Sequence, residues 1–408
     1  MLALLLAAAL IAQTPETIAE IRVHGNLIAT NDDILALSGV TVGARFTPAT
    51  IADVTARLNA SKKFERVQVL KRFASIDDAS RITIVILVDE GPVRLASQSG
   101  TFTAVRRRGL RNVMLMPVLD AEDGYGLTYG VRAAHVGAIG EGSRLSFPLT
   151  WGGTKQAGAD VERALGPVRR TRVKAGAAIQ RQTNPAFLEE DTRQRVWGRV
   201  EHARGYFRGG GTLGWQDVSF MQTRDRFRSA GVDAAFDTRV DPVLPRNAVF
   251  ASASWERLNF DVDSDHGSID RTRMEGRGYL GLIGPTVLAV RAVRESSSRS
   301  LPLYLKPLLG GWSTLRGFKA GSFAGDTLVA GSIELRVPLT SPMRVGKLGV
   351  SVFADAGKSY DHGHRYRDGT LRRSAGAGVW FAATVFHMGL SVARGTDTRV
   401  NFGAGLSF

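Results

Sequence analysis

The 408-residue sequence contains no cysteine, which excludes a disulfide scaffold, a Cys-ligated metal and a thiol nucleophile. Histidine is scarce too, with seven scattered residues. Their one close grouping, "DHGHRY" at Asp361–Tyr366, sits beside Arg365 and Arg367 and reads as a solvated loop. No G-x-S-x-G nucleophile elbow occurs, and the glycine-rich "GRGYLGLIG" has no P-loop lysine or Rossmann context. No catalytic residue, metal or cofactor is therefore expected. Acid is in short supply, with 38 Asp and Glu against 53 Lys and Arg for a net charge of +15. Such a balance raises nucleic acid or an acidic membrane surface as partners, yet a β protein can also turn arginines into a pore. The basic run "RRRGLR" at Arg106–Arg111 fits periplasm, lipid headgroups or a lumen, and nucleic-acid binding is not expected.

Long apolar runs are missing as well. Only the first twelve residues, "MLALLLAAALIA", are continuously apolar. That is the length of a signal-peptide core and too short for a membrane helix, which needs about twenty residues. Export is the expectation, and a chain that enters a membrane must then do so as a barrel. Proline is outnumbered by glycine, 14 to 46, which suits many strands and turns.

Residues 18–92 read as one small α/β unit. "IAEIRVHGN" alternates as a strand and turns at Gly25-Asn26. "TNDDILALSG" is a capped helix with Thr30 or Asn31 at its start and Gly39 as its stop. "TPATIADVTARLNAS" places Ile51, Val54 and Leu58 on one helical face behind Thr47 and Pro48. "FERVQVLKRF" and "RITIVILVDEG" are strands, the second apolar enough to be central.

From residue 93 onward, period-two alternation replaces helical spacing. In "LVAGSIELRVPL", Ile333, Leu335 and Val337 share one face while Ser332, Glu334 and Arg336 share the other. In "KLGVSVFADAG", Val350, Val352 and Ala354 oppose Ser351, Phe353 and Asp355. "SRLSFPLTW" and "RSAGVDAAFD" alternate in the same way. Residues 93–408 leave about twenty positions for each of sixteen strands, which fits strands of 9–11 residues with short periplasmic turns and longer outer loops. Short breaks such as Gly395–Asp397 suit the first kind and "FDVDSDHGSID" the second. The predicted fold is an all-β transmembrane barrel of sixteen antiparallel strands behind one small α/β domain. Closure removes the edges that an open sheet of this length would expose.

The small unit, with "HGN", "FTPATI" and "VDEGP" at its turns, resembles a POTRA domain, the periplasmic module that precedes certain outer-membrane barrels. The C-terminal "TRVNFGAGLSF" resembles the β-signal of bacterial outer-membrane proteins through Asn401, Gly403, Leu406 and the terminal Phe408. Between two strands lies "GGWSTLRGFKAG", whose Leu315, Arg316, Gly317 and Phe318 resemble the sixth-loop motif of BamA/TamA-type proteins, where Val usually precedes the arginine. That resemblance implies a loop folded into the barrel with its arginine on the inner wall. "VFADAG", with Phe353 and Asp355, resembles the element that carries the acidic partner. The alternation independently turns Glu334 and Asp355 inward. Such a charge-assisted pair would contribute about 1.5–3 kcal/mol in a partly dry lumen. "FDTRVDPVLPRNAVF" resembles the family's strand–turn–strand signature through Asp237, Arg239, Asp241, Pro242 and Pro245. Asn247 stands there in place of the usual glycine, a change a left-handed backbone tolerates.

The resemblance implies an outer-membrane protein, with its POTRA domain in the periplasm, that assists insertion, assembly or translocation of polypeptides without a chemical step. The implied partners are unfolded outer-membrane or secreted polypeptides, outer-membrane lipids and periplasmic accessory proteins. The alternative is a passive pore or a lipid- or secretion-related barrel that lacks insertase activity.

Overall fold

The computed structural model describes residues 16–406 except 75–77, 79, 91–92, 99–100, 107–112, 167–169, 263, 342–345 and 384–385. The apolar segment at 1–12, most of the basic run at 106–111 and Phe408 lie outside the described residues.

The N-terminal unit runs β1 (Thr17–His24), α1 (Asn31–Ser38), α2 (Pro48–Ala60), β2 (Arg66–Phe73) and β3 (Arg81–Asp89). Thr30 caps α1 in a reciprocal box with Asp33: the Asp33 amide donates to the Thr30 hydroxyl at 3.1 Å, and the Thr30 amide donates to the Asp33 carboxylate at 3.3 Å. β3 lies between β1, which it pairs in parallel, and β2, which it pairs antiparallel. Its run of Ile82, Ile84 and Ile86 is fully buried because both helices pack on the sheet, with Ile34, Val54 and Leu58 pointing into the same core. The buried Glu90 carboxylate accepts the amides of Leu27, Ile28 and Ala29 at 2.7–2.8 Å, tying the first turn to the end of the sheet.

Residues 93–106, expected to open the barrel, form their own hairpin of β4 (Val93–Gln98) and β5 (Thr101–Arg106). The barrel begins at β6 (Val113–Glu122) and continues through β7 (Gly126–Val136), β8 (Ser143–Gly152), β9 (Thr154–Leu165) and β10 (Thr171–Thr183). Its far wall is built from β11 (Glu190–Arg204), β12 (Phe207–Phe220), β13 (Thr223–Asp237) and β14 (Ala248–Phe260). β15 (Ser268–Gly281) and β16 (Val287–Ser297) lead into the long loop, which contains the small pair β17 (Leu308–Leu309) and β18 (Phe323–Ala324). β19 (Thr327–Thr340), β20 (Lys347–Tyr360), β21 (Arg372–Ala382), β22 (Phe386–Arg394) and β23 (Thr398–Leu406) complete a closed barrel of sixteen antiparallel strands. Outward positions such as Val232, Ile333, Val352 and Phe402 are exposed, whereas Ser229, Phe353, Asp355 and Asn401 are buried on the inside.

The N-terminal domain marks one end of the barrel. Arg72 of β2 reaches the Asp241 carboxylate at 2.6 Å and the Ala383 carbonyl at 3.2 Å, and Arg144 of β8 reaches Asp89 at 2.9 Å. Two expectations about connections change in consequence. Gly395–Asp397 sits at the opposite end, under the long loop, with Gly395 against Gly317 and Phe318. Connection length also does not sort by end. The turn at 238–247 is long and faces the N-terminal domain, while the outer break between β8 and β9 is a single residue. The turn at 238–247 carries the Asp241 contact with Arg72, which alternation along strands does not encode.

Candidate functional site

The loop between β16 and β19 folds into the barrel. Its base is closed by β17 against β18, and its tip by the Gly311 amide, which donates to the carbonyls of Leu315 and Phe318 at 3.1 and 2.9 Å. Leu315 is fully buried with Phe318 in a cluster of Val293, Leu309, Leu328 and Ala330, and Phe318 meets Phe323 edge-on at 5.5 Å. With its hydrophobic neighbours pinned on that wall, Arg316 has one direction left.

Arg316 forks onto Asp355, with Nε at 3.0 Å and Nη2 at 2.7 Å, and its backbone amide adds a third bond at 3.1 Å. Nη1 reaches Glu334 at 2.7 Å, and Glu334 is held in turn by Arg336 at 2.9 Å. The guanidinium lies over the Phe353 ring, 3.3 Å from its centre. The Asp355 side chain is 1% exposed. It also receives the Ser374 hydroxyl at 3.3 Å. A buried carboxylate held in this way is stable only while its guanidinium stays in place. Gly317 lets the loop touch the wall, since a Cβ there would fall 2.5 Å from the Gly395 nitrogen and 2.6 Å from the Ser374 Cβ.

The final strand takes part as well. Asn401 Nδ2 donates to the Arg316 carbonyl at 2.8 Å. Trp312 lies across the inner wall at Gly389 and Gly403, where an added Cβ would sit 2.7 and 3.2 Å from the ring. The geometry therefore brings Arg316, Phe353, Asp355, Glu334, Asn401 and Gly403 into one assembly. Asp237, Arg239, Asp241, Pro242 and Pro245 lie apart, at the opposite end. There Arg239 pairs with Asp237 at 2.8 Å and stacks on Phe250 at 4.2 Å. Asp241 accepts the amides of Val243 and Leu244 besides Arg72. Asn247 adopts a φ of +46° and accepts the Gly281 amide at 2.9 Å, so it fills the glycine position with an added bond. Leu406 closes β23, and Phe408 falls outside the described residues.

A second foothold of the loop escaped the sequence reading. Leu301, Tyr304 and Leu305 pack against Val218, Phe220, Phe227 and Leu258 on the far wall. The Tyr304 hydroxyl donates to Asp225 at 2.8 Å, and Arg193, itself paired with Asp191, donates to the Tyr304 carbonyl at 2.9 Å. Asp326, fully buried, accepts the amides of Leu301 and His362 at 2.7 and 2.8 Å and fixes where the loop leaves the wall. The loop thus spans the lumen from one wall to the other. Below it a cavity of about 690 Å³ is lined by Asp120, Arg239, Arg277, Arg291, Trp312 and Arg336. Part of the positive charge is therefore turned inward.

A sixteen-stranded barrel behind a single small α/β domain, with a loop arginine clamped on its inner wall, defines a class of outer-membrane protein. Residues 125–408 match the model of the Omp85 superfamily domain, and residues 16–91 match the POTRA model, described as a surface antigen variable number repeat. The chain belongs to the Omp85 superfamily. Among solved structures it is similar to BamA from Haemophilus ducreyi lacking POTRA domains 1-3, at 14% identity and a TM-score of 0.64, covering 96% of this chain and 84% of that one. It is also similar to CdiB from Escherichia coli, at 14% identity and a TM-score of 0.54, covering 98% and 92%. At these identities the likeness is one of fold. No curated protein matches the sequence.

Proposed function

We propose that this chain assists insertion, assembly or translocation of polypeptides at the bacterial outer membrane, by capture at its POTRA domain and strand templating at the barrel seam. The observation that carries the reading is the seam itself. Between β23 and β6 only Ala404 opposite Ala121 and Gly405 opposite Asp120 are in register among the described residues. By contrast, β12 and β13 pair along their whole length, from Phe207 opposite Phe236 to Phe220 opposite Thr223. A short seam leaves backbone donors and acceptors of β6 free for an incoming strand, the same chemistry as peptide capture at a sheet edge.

Two further features support it. In the POTRA sheet the outer edge of β1 is covered by residues 43–46, through Ile18 to Ala44 and Gly43 to Ile18. β2 is the other edge, with β3 as its one partner strand among the described residues. In this reading the clamp of Arg316 on Asp355, Glu334 and Phe353 braces the wall beside the seam, and Asn401, Gly403, Leu406 and Phe408 form the strand that assembles last. No step makes or breaks a covalent bond, and the energy comes from folding of the substrate and exchange of hydrogen bonds.

The test is reconstitution in liposomes with an unfolded outer-membrane barrel as substrate, following its heat-modifiable gel mobility alongside single-channel conductance. Acceleration of substrate folding that disappears on deleting residues 16–91 is the expected result. Conductance without acceleration would replace this reading with the passive or secretion pore.

A further inference from the structure

On the lipid-facing side of β12–β14, the outward positions form two layers. Toward the middle they are apolar, with Leu213, Val232 and Trp255 exposed. Toward the loop end they change character within one residue pair. Arg226 faces Asp217 directly, and Arg224 also reaches that carboxylate, at 2.8 Å. Arg257 pairs with Asp270 at 2.8 Å. Arg228 faces Trp215 on one side and Asn259 on the other, with no carboxylate opposite it. Four arginines thus meet Asp217 and Asp270 on one patch, with Asp261 opposite Arg226 at its rim, its amide donating to the Arg226 carbonyl at 2.9 Å. The Arg224, Arg226 and Arg257 side chains remain 50–57% exposed. The POTRA end of the same three strands is different: its outward positions hold Phe207, Phe236 and Val249, with the two rings 5.0 Å apart.

We infer that this patch docks the phosphate groups of lipids in the outer leaflet. The inference rests on the outer-membrane reading and adds a binding surface to it. Charge on the lipid face of a barrel is tolerated near an interface and costly at mid-membrane, so the step at Trp215 and Trp255 marks where hydrocarbon ends. Beyond that line the partner must be a headgroup. A guanidinium fork matches phosphate oxygens in bidentate geometry. Asp217 and Asp270 hold Arg224, Arg226 and Arg257 upright with their outer nitrogens toward solvent, and Arg228 opposes no carboxylate on either neighbouring strand. Arg257 also lies over the Trp255 ring, 5.7 Å from its centre. The asymmetry between the two ends of β12–β14 fits a bilayer whose outer leaflet carries the denser phosphate.

The test places the full chain in phosphatidylcholine nanodiscs and measures binding of a bisphosphorylated lipid A against the same lipid stripped of phosphate, with inorganic phosphate as competitor. The phosphorylated form is expected to bind at least about tenfold more tightly, the equivalent of one net charge-assisted bond. The variant Arg226→Gln/Arg228→Gln/Arg257→Gln should lose that preference while keeping its heat-modifiable mobility. If the triple variant does not fold, Arg228→Gln alone, which breaks no ion pair, should still reduce the preference. Equal binding of both lipids, a preference unchanged by the substitutions, or full displacement by inorganic phosphate would overturn the inference. A wild-type chain that never enters a bilayer would remove the membrane reading along with it, whereas an inserted chain indifferent to lipid phosphate removes this inference alone.

Discussion

The loop stands on two footholds, and only one of them adds a buried ion-pair network to its apolar contacts. On β19–β21 and β23 its apolar contacts at Leu315 and Phe318 are joined by a charged network of one guanidinium, two carboxylates and the Asn401 amide. On β11–β14 it is held mainly by packing, with Leu301, Tyr304 and Leu305 in an apolar cluster, the phenol bond to Asp225 and the Arg193 bond to the Tyr304 carbonyl. The polar foothold lies next to the seam, and the apolar one lies on the wall farthest from it. A directional network fixes a strand's position and is costly to leave half-made, whereas an apolar cluster tolerates small shifts. The wall that borders the short seam is thus the one held in register.

Breaking the polar foothold should have the largest effect. Asp355→Ala leaves Arg316 buried with Glu334 as its remaining carboxylate, and a loss of about 3–5 kcal/mol is expected from the urea midpoint of the barrel in bilayers. The double change Arg316→Met/Asp355→Leu should recover most of that loss, because it removes both charges together. Tyr304→Phe leaves Asp225 without its phenol and should cost about 1–3 kcal/mol in the same measurement. An effect of Tyr304→Phe as large as that of Asp355→Ala would erase the contrast between the footholds. Trp312→Ala should change global stability less but speed amide exchange along β23, since Gly389 and Gly403 lose the ring that covers them. Exchange confined to the loop would deny Trp312 any hold on the last strand.

The smallest effect belongs to the POTRA domain. Partial desolvation at the end of β1, with the Arg22 and Arg72 guanidiniums nearby, holds the exposed His24 below its ordinary 6.5. The folded state therefore favours neutral His24, and the associated stability is complete above about pH 6.5 and is lost as pH falls below it. His24→Gln should flatten that part of the pH profile of the domain's urea midpoint in the full chain, and an unchanged profile would show that His24 does not contribute.

The barrel was legible in the sequence because its cause is local. Alternation at Ser332–Val337 or Ser351–Asp355 follows from having lipid on one side and a polar lumen on the other, and every residue carries that signal. Arg316, Glu334 and Asp355 were legible for the same reason: strand parity turns both carboxylates inward, and the loop motif supplies the cation. The Tyr304 foothold was not, because "LPLYLKPLL" has no parity and its wall lies in strands more than forty residues earlier in the chain. The Arg72–Asp241 contact between domains was hidden in the same way, although "VDPVLP" marked its turn. The hairpin at 93–106 alternates like a barrel strand, and only the pairing pattern separates the two.

The most direct test of the account is to lock the seam. The chain has no cysteine of its own, and Ala121 and Ala404 are directly opposite, so Ala121→Cys/Ala404→Cys places one disulfide across β6 and β23. Oxidised protein should insert normally and hold its loop but fail to accelerate folding of a barrel substrate, and reduction should restore the activity. Full acceleration with the disulfide intact would contradict templating at the seam.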